Sequence, residues 1–166
     1  MTMIARAGFD NVMGRVPATF GGSLRGAGGY LVPILAKTDF SYDGRVNTNQ
    51  DAPVAVGVDS SAWVSAVLVV RLHAKNSWAT SAQVQVLVDN VMIVPEEPDV
   101  VFASASPIAT VSFVQGSDNA PALKLAVLSA PIGPMLRVTV RWVQGATAAT
   151  ATQTVSLGID LVGRPA

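Results

Sequence analysis

The stretch Trp63-Val64-Ser65-Ala66-Val67-Leu68-Val69-Val70-Arg71-Leu72-His73-Ala74-Lys75 decides the fold class. Its even positions, from Val64 to Ala74, are all apolar, while its odd positions end in Arg71, His73 and Lys75. Side chains of an extended chain point alternately to opposite faces, so this period of two marks a strand with one buried face. The pattern recurs downstream. Val84, Val86, Val88, Met92 and Val94 alternate with Gln83, Gln85 and Asp89 after a connection over 76–80. Ala109, Val111 and Phe113 oppose Thr110 and Ser112. A further strand over Leu123–Leu128 is entered through Gly116-Ser117-Asp118-Asn119 and Pro121. Beyond Pro131-Ile132-Gly133-Pro134, Arg137, Thr139 and Arg141 oppose Val138, Val140 and Trp142. The last run sets Val155, Leu157, Ile159 and Leu161 against Thr154, Ser156 and Asp160.

Successive short strands rich in Val and Thr, punctuated by Pro and Gly and with no long helix between them, predict an all-β chain. The expected architecture is an antiparallel β-sandwich rather than a parallel sheet of βαβ units. One or two strands from the preceding residues bring the count to about eight, which suits a jelly roll. An immunoglobulin-like sandwich stays open at this level.

Residues 1–50 have another texture: they are rich in glycine, with scattered large apolar groups. Each glycine loses much backbone entropy on ordering, so such a segment cannot easily build its own core. It is expected to be an extended N-terminal arm with one or two strands, lying on its own domain or on a neighbour, followed by the sandwich over 51–166. Ala5, Phe9, Val12, Met13 and Val16 fall at roughly helical spacing, and Gly8 and Gly14 weaken a helix there. Arg6, Asp10 and Arg15 interrupt what would be the apolar core of a signal peptide, so cytoplasmic synthesis is the expectation. The small, uncharged stretch over 145–154 suits a hairpin tip, a plain loop or the start of the last strand, and an unpaired edge of such residues invites pairing.

Composition points to assembly rather than chemistry. Half of the 166 residues are hydrophobic and only 13% are charged, against about a quarter in an ordinary soluble domain. Mean hydropathy is +0.43. A surface so poor in charge is expected to be covered in part by copies of itself or by a larger assembly. Net charge is zero, so no general attraction to nucleic acid or to an anionic membrane is expected. The charges alternate in blocks: Arg6, Arg15, Arg25, Lys37 and Arg45 make the first third basic, the middle is acidic, and Lys124, Arg137, Arg141 and Arg164 make the end basic again. Neighbouring copies that dock basic arm onto acidic body would use this pattern, and solvated faces of one molecule would explain it too.

Candidate chemistry fails group by group. Without cysteine there is no disulfide, thiolate metal site or thiol nucleophile. His73 is the sole histidine and lies on the polar parity between Arg71 and Lys75, with no G-x-S-x-G frame to make it part of a triad. Glu96, Glu97 and Asp99 are the densest acidic cluster, and two flanking prolines favour a charged turn over a glycosidase pair or a calcium loop. Gly21-Gly22-Ser23-Leu24-Arg25-Gly26-Ala27-Gly28-Gly29 lacks the Gly-Lys-Ser/Thr ending of a phosphate loop. No catalytic residue, cofactor or metal ligand is therefore assigned, and no enzyme is expected. Trp142 falls on the core parity. Trp63 and Trp78 are left for an interface, for capping the sandwich, or for a sugar-binding surface.

The cysteine-free chain, the Gly-rich arm through Tyr42 and the charge-poor Val/Ala/Thr sandwich from Ala52 to Val162 together resemble the decoration or cement proteins of tailed bacteriophage capsids. The likeness is one of texture over nearly the whole chain, without a diagnostic motif. It implies a virion protein at the capsid surface, a homo-oligomer with a trimer favoured, bound to a major capsid or other virion protein and stabilising the shell. Candidate assembly contacts are the apolar and basic groups of the arm, Arg6, Phe9, Val12, Arg15, Phe20, Leu24, Arg25, Tyr30, Phe40 and Tyr42, together with Trp63 and Trp78. A self-assembling coat protein, a tail, fibre or connector component, and a carbohydrate-binding module are the alternatives.

Overall fold

The alternation over 63–75 becomes β3 (Trp63–Lys75), which buries Ala66, Leu68, Val70 and Leu72 and turns Val67, Val69, Arg71 and His73 outward. The computed structural model describes residues 30–46, 48–129, 131–145 and 152–165. Around β3 stand β1 (Tyr30–Asp43), β2 (Gln50–Asp59), β4 (Gln83–Val94), β5 (Glu97–Ala103), β6 (Ala109–Val114), β7 (Ala122–Val127), β8 (Met135–Val143) and β9 (Thr152–Pro165). Among the described residues no helix is long and apolar enough to cross a membrane.

All pairings are antiparallel, and they nest. β4 pairs β6, β3 pairs β7, β2 pairs β8 and β1 pairs β9. The chain is thus one long antiparallel ribbon folded back at its middle. The ribbon rolls up because β9 also pairs β3 and β8 also pairs β4. The result is a four-stranded sheet in the order β1-β9-β3-β7 facing a second sheet in the order β2-β8-β4, with β5 and β6 sharing the far edge of β4. Eight of the strands make a jelly roll, and this winding sets aside the immunoglobulin-like alternative. β5 is an addition to it.

The core lies between the sheets. Leu68, Val70, Leu72, Leu157, Ile159 and Leu161 from one sheet meet Val84, Val86, Phe113, Leu136, Val138, Val140 and Trp142 from the other. Two strands that the alternation did not locate, β2 and β5, are irregular. β2 is an edge strand that carries Pro53 and breaks register between Val56 and Val58, where Gly57 takes φ +77°. Only glycine enters that region freely, and proline is tolerated at an edge because no partner needs its N–H.

Of the arm expected over 1–50, Tyr30–Asp43 is the edge strand β1, paired along β9 from Tyr30↔Gly163 to Asp43↔Thr152. Residues 1–29 lie outside the described residues, and with them the helical spacing over 5–16. Within the uncharged stretch, residues 146–151 also lie outside, and Thr152 onward belongs to β9. The acidic cluster needs a correction. The turn occupies only Pro95 and Glu96, and Glu97 already pairs Val94, so Pro98 does not end pairing but sits within β5.

Candidate assembly surfaces

The outer faces of the two sheets differ in kind. On the β2-β8-β4 sheet, acidic and basic groups face each other across strands: Asp51 stands opposite Arg141, and Asp89 opposite Arg137. Arg141 Nε and Nη2 donate to the two Asp51 oxygens, each at 2.7 Å. Arg137 Nε and Nη2 donate to Asp89 Oδ2 at 3.2 and 2.9 Å, and the Asp89 side chain is nearly buried. This face is closed by internally matched charge.

The outer face of the β1-β9-β3-β7 sheet is apolar along one side. Leu123, Leu125 and Val127 of β7 point outward, 62%, 61% and 71% exposed. Register sets Val127 beside Val67 and Leu125 beside Val69, and Val67 in turn faces Val162, which faces Leu31. An apolar row therefore crosses all four strands, interrupted in the next row by an ion pair between Arg71 and Asp160 at 2.6 Å. A β7 edge without a paired strand among the described residues, beside such a stripe, is a surface that favours association.

A second apolar surface is the hairpin of β4 and β5. β4 loses its β8 partner after Val91, so Met92, Ile93 and Val94 pair only with β5. Met92 and Phe102 face each other and are about half exposed, at 52% and 48%, with Val100 and Val101 also exposed. Glu96, Glu97 and Asp99 crown the hairpin, and none of them takes part in an ion pair among the described residues.

The candidate residues from the sequence fall in four groups. Arg6, Phe9, Val12, Arg15, Phe20, Leu24 and Arg25 lie outside the described residues. Tyr30 starts β1, where its backbone pairs Gly163. Phe40 and Trp63 are half-buried against the core, and the Trp63 ring covers Gly163 so closely that a Cβ there would clash with it. Tyr42 and Trp78, expected at an assembly surface, are instead buried inside this chain, at 5% and 6% exposure. Tyr42 stacks on Trp142 at 5.0 Å between centroids, and Trp78 meets Trp142 edge-on at 5.3 Å. The Trp78 indole N–H donates to Thr154 O at 3.0 Å, which closes that end of the sandwich. Burial pushes the Tyr42 hydroxyl far above its ordinary range, and the nearby Asp51 charge adds to this. A sugar platform of Trp63 and Trp78 does not form, because one of the two rings is spent in the core.

His73 is half-buried on the outer face beside Gly158. Among the described residues no group of three or more His, Cys, Asp or Glu side chains is placed to hold a metal ion. Sequence reasoning missed the exposed apolar groups of β7 and of the hairpin. Their signal was present: in Leu123-Lys124-Leu125-Ala126-Val127 the large apolar groups share one parity and Lys124 and Ala126 the other, and Val100-Val101-Phe102 is apolar on both parities.

Three carboxylates are held below their ordinary range. Asp51 is lowered mainly by its Arg141 hydrogen bond, and Asp59 by the Ser61 hydroxyl and backbone N–H. For Asp118 burial pushes upward, but hydrogen bonds from Lys124 and from the Val114 N–H, with the lysine charges, outweigh it. A carboxylate whose folded pKa is depressed adds stability above its unfolded pKa, and loses it as pH falls through the folded value. The melting temperature is therefore expected to hold between pH 7 and 5 and to fall below about pH 4. A pH series of thermal melts checks this, and a midpoint flat to pH 2 would count against it.

No known family model matches the chain, and no curated protein matches it in sequence. The fold does have relatives among solved structures. The chain is similar to the VP2 subviral particle of infectious bursal disease virus, at 14% identity and TM-score 0.52 over 81% of this chain and 31% of that one. It is similar to the structure of the Gx strain of that virus, at 11% identity and TM-score 0.52, covering 81% of this chain and 30% of that one. The T=1 particles derived from the same virus match at 13% identity and TM-score 0.51, over 81% and 30%. The chain thus spans under a third of the length of these proteins. At such identities the likeness is one of fold.

Proposed function

We propose that this chain is a structural virion protein, built into a shell through contacts between copies. The observation that carries the reading is the jelly-roll winding with two exposed apolar surfaces left on its outside. The likeness to VP2, whose structures are of subviral and T=1 particles, supports it. The work is mechanical: the sandwich is the rigid body, and apolar faces unused within one copy meet across an interface. Within that role we favour a decoration or cement protein that oligomerises, as a trimer, and binds a major capsid protein to stabilise the shell at the virion surface. A self-assembling coat protein is the second reading, favoured by the likeness to a particle-forming protein.

Light scattering and electron microscopy of the purified chain test both. Discrete oligomers that bind preformed shells support decoration, whereas shells formed by this chain alone support the coat. A dispersed monomer at all concentrations, without affinity for shells, overturns both. Leu125→Lys on the outer stripe is expected to leave the fold within about 0.5 kcal/mol of the parent, since surface substitutions cost little, while lowering the oligomeric fraction. An unchanged mass distribution would remove the β7 stripe from the interface.

A further inference from the structure

The β4–β5 hairpin is the feature of the fold that the jelly roll does not need. It adds a strand to the eight, extends beyond the last β8 pairing at Val91, and exposes Met92 and Phe102 instead of burying them. Large apolar side chains on a two-stranded projection gain little from the core and invite a partner. The chemistry of that partner is set by charge. Between Asn76 and Leu123 the sequence holds no lysine or arginine, while Glu96, Glu97 and Asp99 crowd the tip. The hairpin therefore suits a ligand that is both apolar and basic.

One such ligand is in the chain itself. Residues 1–29 carry Arg6, Arg15 and Arg25 against a single acid, Asp10, with Phe9, Phe20 and Leu24 among them. The place where this segment joins the sandwich is also suitable. Tyr30 pairs Gly163 at the end of the sandwich where Trp63 pairs Pro165. At that same end Asp59 pairs Met135, Met135 pairs Val91, and Ser60 N–H donates to Pro134 O. The hairpin leaves the sandwich from there. An extended segment of this length reaches on the order of 90 Å, well beyond one domain.

From these observations, and resting on the self-association proposed above, we infer that the β4–β5 hairpin is the docking site for residues 1–29 of a neighbouring copy. Phe9 and Phe20 would supply apolar area to Met92 and Phe102, and the arginines would meet Glu96, Glu97 and Asp99. Such a contact is heterologous, so repeated around a ring it closes a cyclic oligomer.

Charge reversal in the full-length chain tests it. The variant Glu96→Lys/Glu97→Lys/Asp99→Lys, and separately Arg6→Glu/Arg15→Glu/Arg25→Glu, should each weaken self-association at low salt by about tenfold or more. An equimolar mixture of the two should recover association in part, because unlike copies match in both directions, while a ring with an odd number of copies keeps one like-charged contact. Mass by light scattering, with circular dichroism to confirm folding, reads the result. If a triple variant fails to fold, Glu97→Lys alone and the fall of parent association with rising salt carry the test. Parent-like mass in both variants, or loss that mixing does not recover, overturns the docking site and leaves the function standing. A parent chain that is monomeric at every concentration overturns the function as well.

Discussion

Trp142→Ala is expected to destabilise the sandwich by about 3–5 kcal/mol, the range for emptying a large aromatic site in a packed core. That is a large share of the roughly 5–15 kcal/mol by which a domain of this size is stable. The size follows from what the ring joins. Trp142 is fully buried on β8, stacks on Tyr42 of β1 across the sandwich, and takes the edge of Trp78 from the connection after β3. Its indole N–H donates to Gln144 Oε1 at 3.1 Å, and Gln144 Nε2 donates on to Gly44 O at 2.8 Å. Truncation therefore opens a cavity between the sheets and releases the chain that leads out of β1. Chemical denaturation followed by circular dichroism gives the value. Tyr42→Phe is the control: it keeps the stacked ring and removes a buried hydroxyl with no hydrogen-bond partner among the described residues, so it should be neutral or stabilising by about 1 kcal/mol. A loss under 1 kcal/mol for Trp142→Ala would mean that the aromatic cluster does not hold the sheets together.

Six strands were legible in the sequence, most of them because one face is buried and burial itself writes the period of two. β3 and β8 show this, since the alternation around Leu68 and Val140 coincides with the buried positions. β7, whose leucines point outward, was marked instead by the turn residues before it. The pattern fails where a strand has no buried face to impose it. Glu97 and Asp99–Ala103 of β5 are exposed, and in the sequence its Pro98 and acidic residues look like turn chemistry. β2 is interrupted by its own register shifts. The order of strands was beyond reach, because β1 and β9 stand at opposite ends of the chain and nothing local announces their pairing.

The candidate site shows the same division. A composition short of charge implied covered surface, but it could not say which surface. Aromatic residues were the natural choice for an interface, yet Tyr42 and Trp78 serve this chain's own core. The groups left outside are mostly aliphatic, Leu123, Leu125 and Val127 with Met92 and Val101, joined by Phe102. They sit on short edge strands or, for Met92, on the end of β4 that runs past β8, where either face of the strand is open. Parity alone cannot distinguish an outward leucine on an edge strand from an inward one.

Arg137→Met is the second change with a large expected effect, about 2–3 kcal/mol of lost stability. Its partner Asp89 lies on β4, a central strand flanked by β8 on one side and by β5 and β6 on the other, and the Asp89 side chain is only 8% exposed. Removing the guanidinium leaves a carboxylate that water reaches poorly and that no other ion pair neutralises among the described residues. Arg137 is itself about a third exposed, which places the loss below that of a fully buried pair. The penalty belongs to the orphaned charge rather than to the pair. The double variant Asp89→Leu/Arg137→Met should therefore recover to within about 1 kcal/mol of the parent, as matched apolar replacements of ion pairs do. The neighbouring rung separates burial from charge. Asp51 and Arg141 make the better hydrogen bonds, two at 2.7 Å, but both are more exposed. Arg141→Met should cost no more than about 1 kcal/mol. Denaturation midpoints for the three variants decide the matter: equal losses for Arg137→Met and Arg141→Met, or no recovery in the double variant, would show that burial of Asp89 is not the cause.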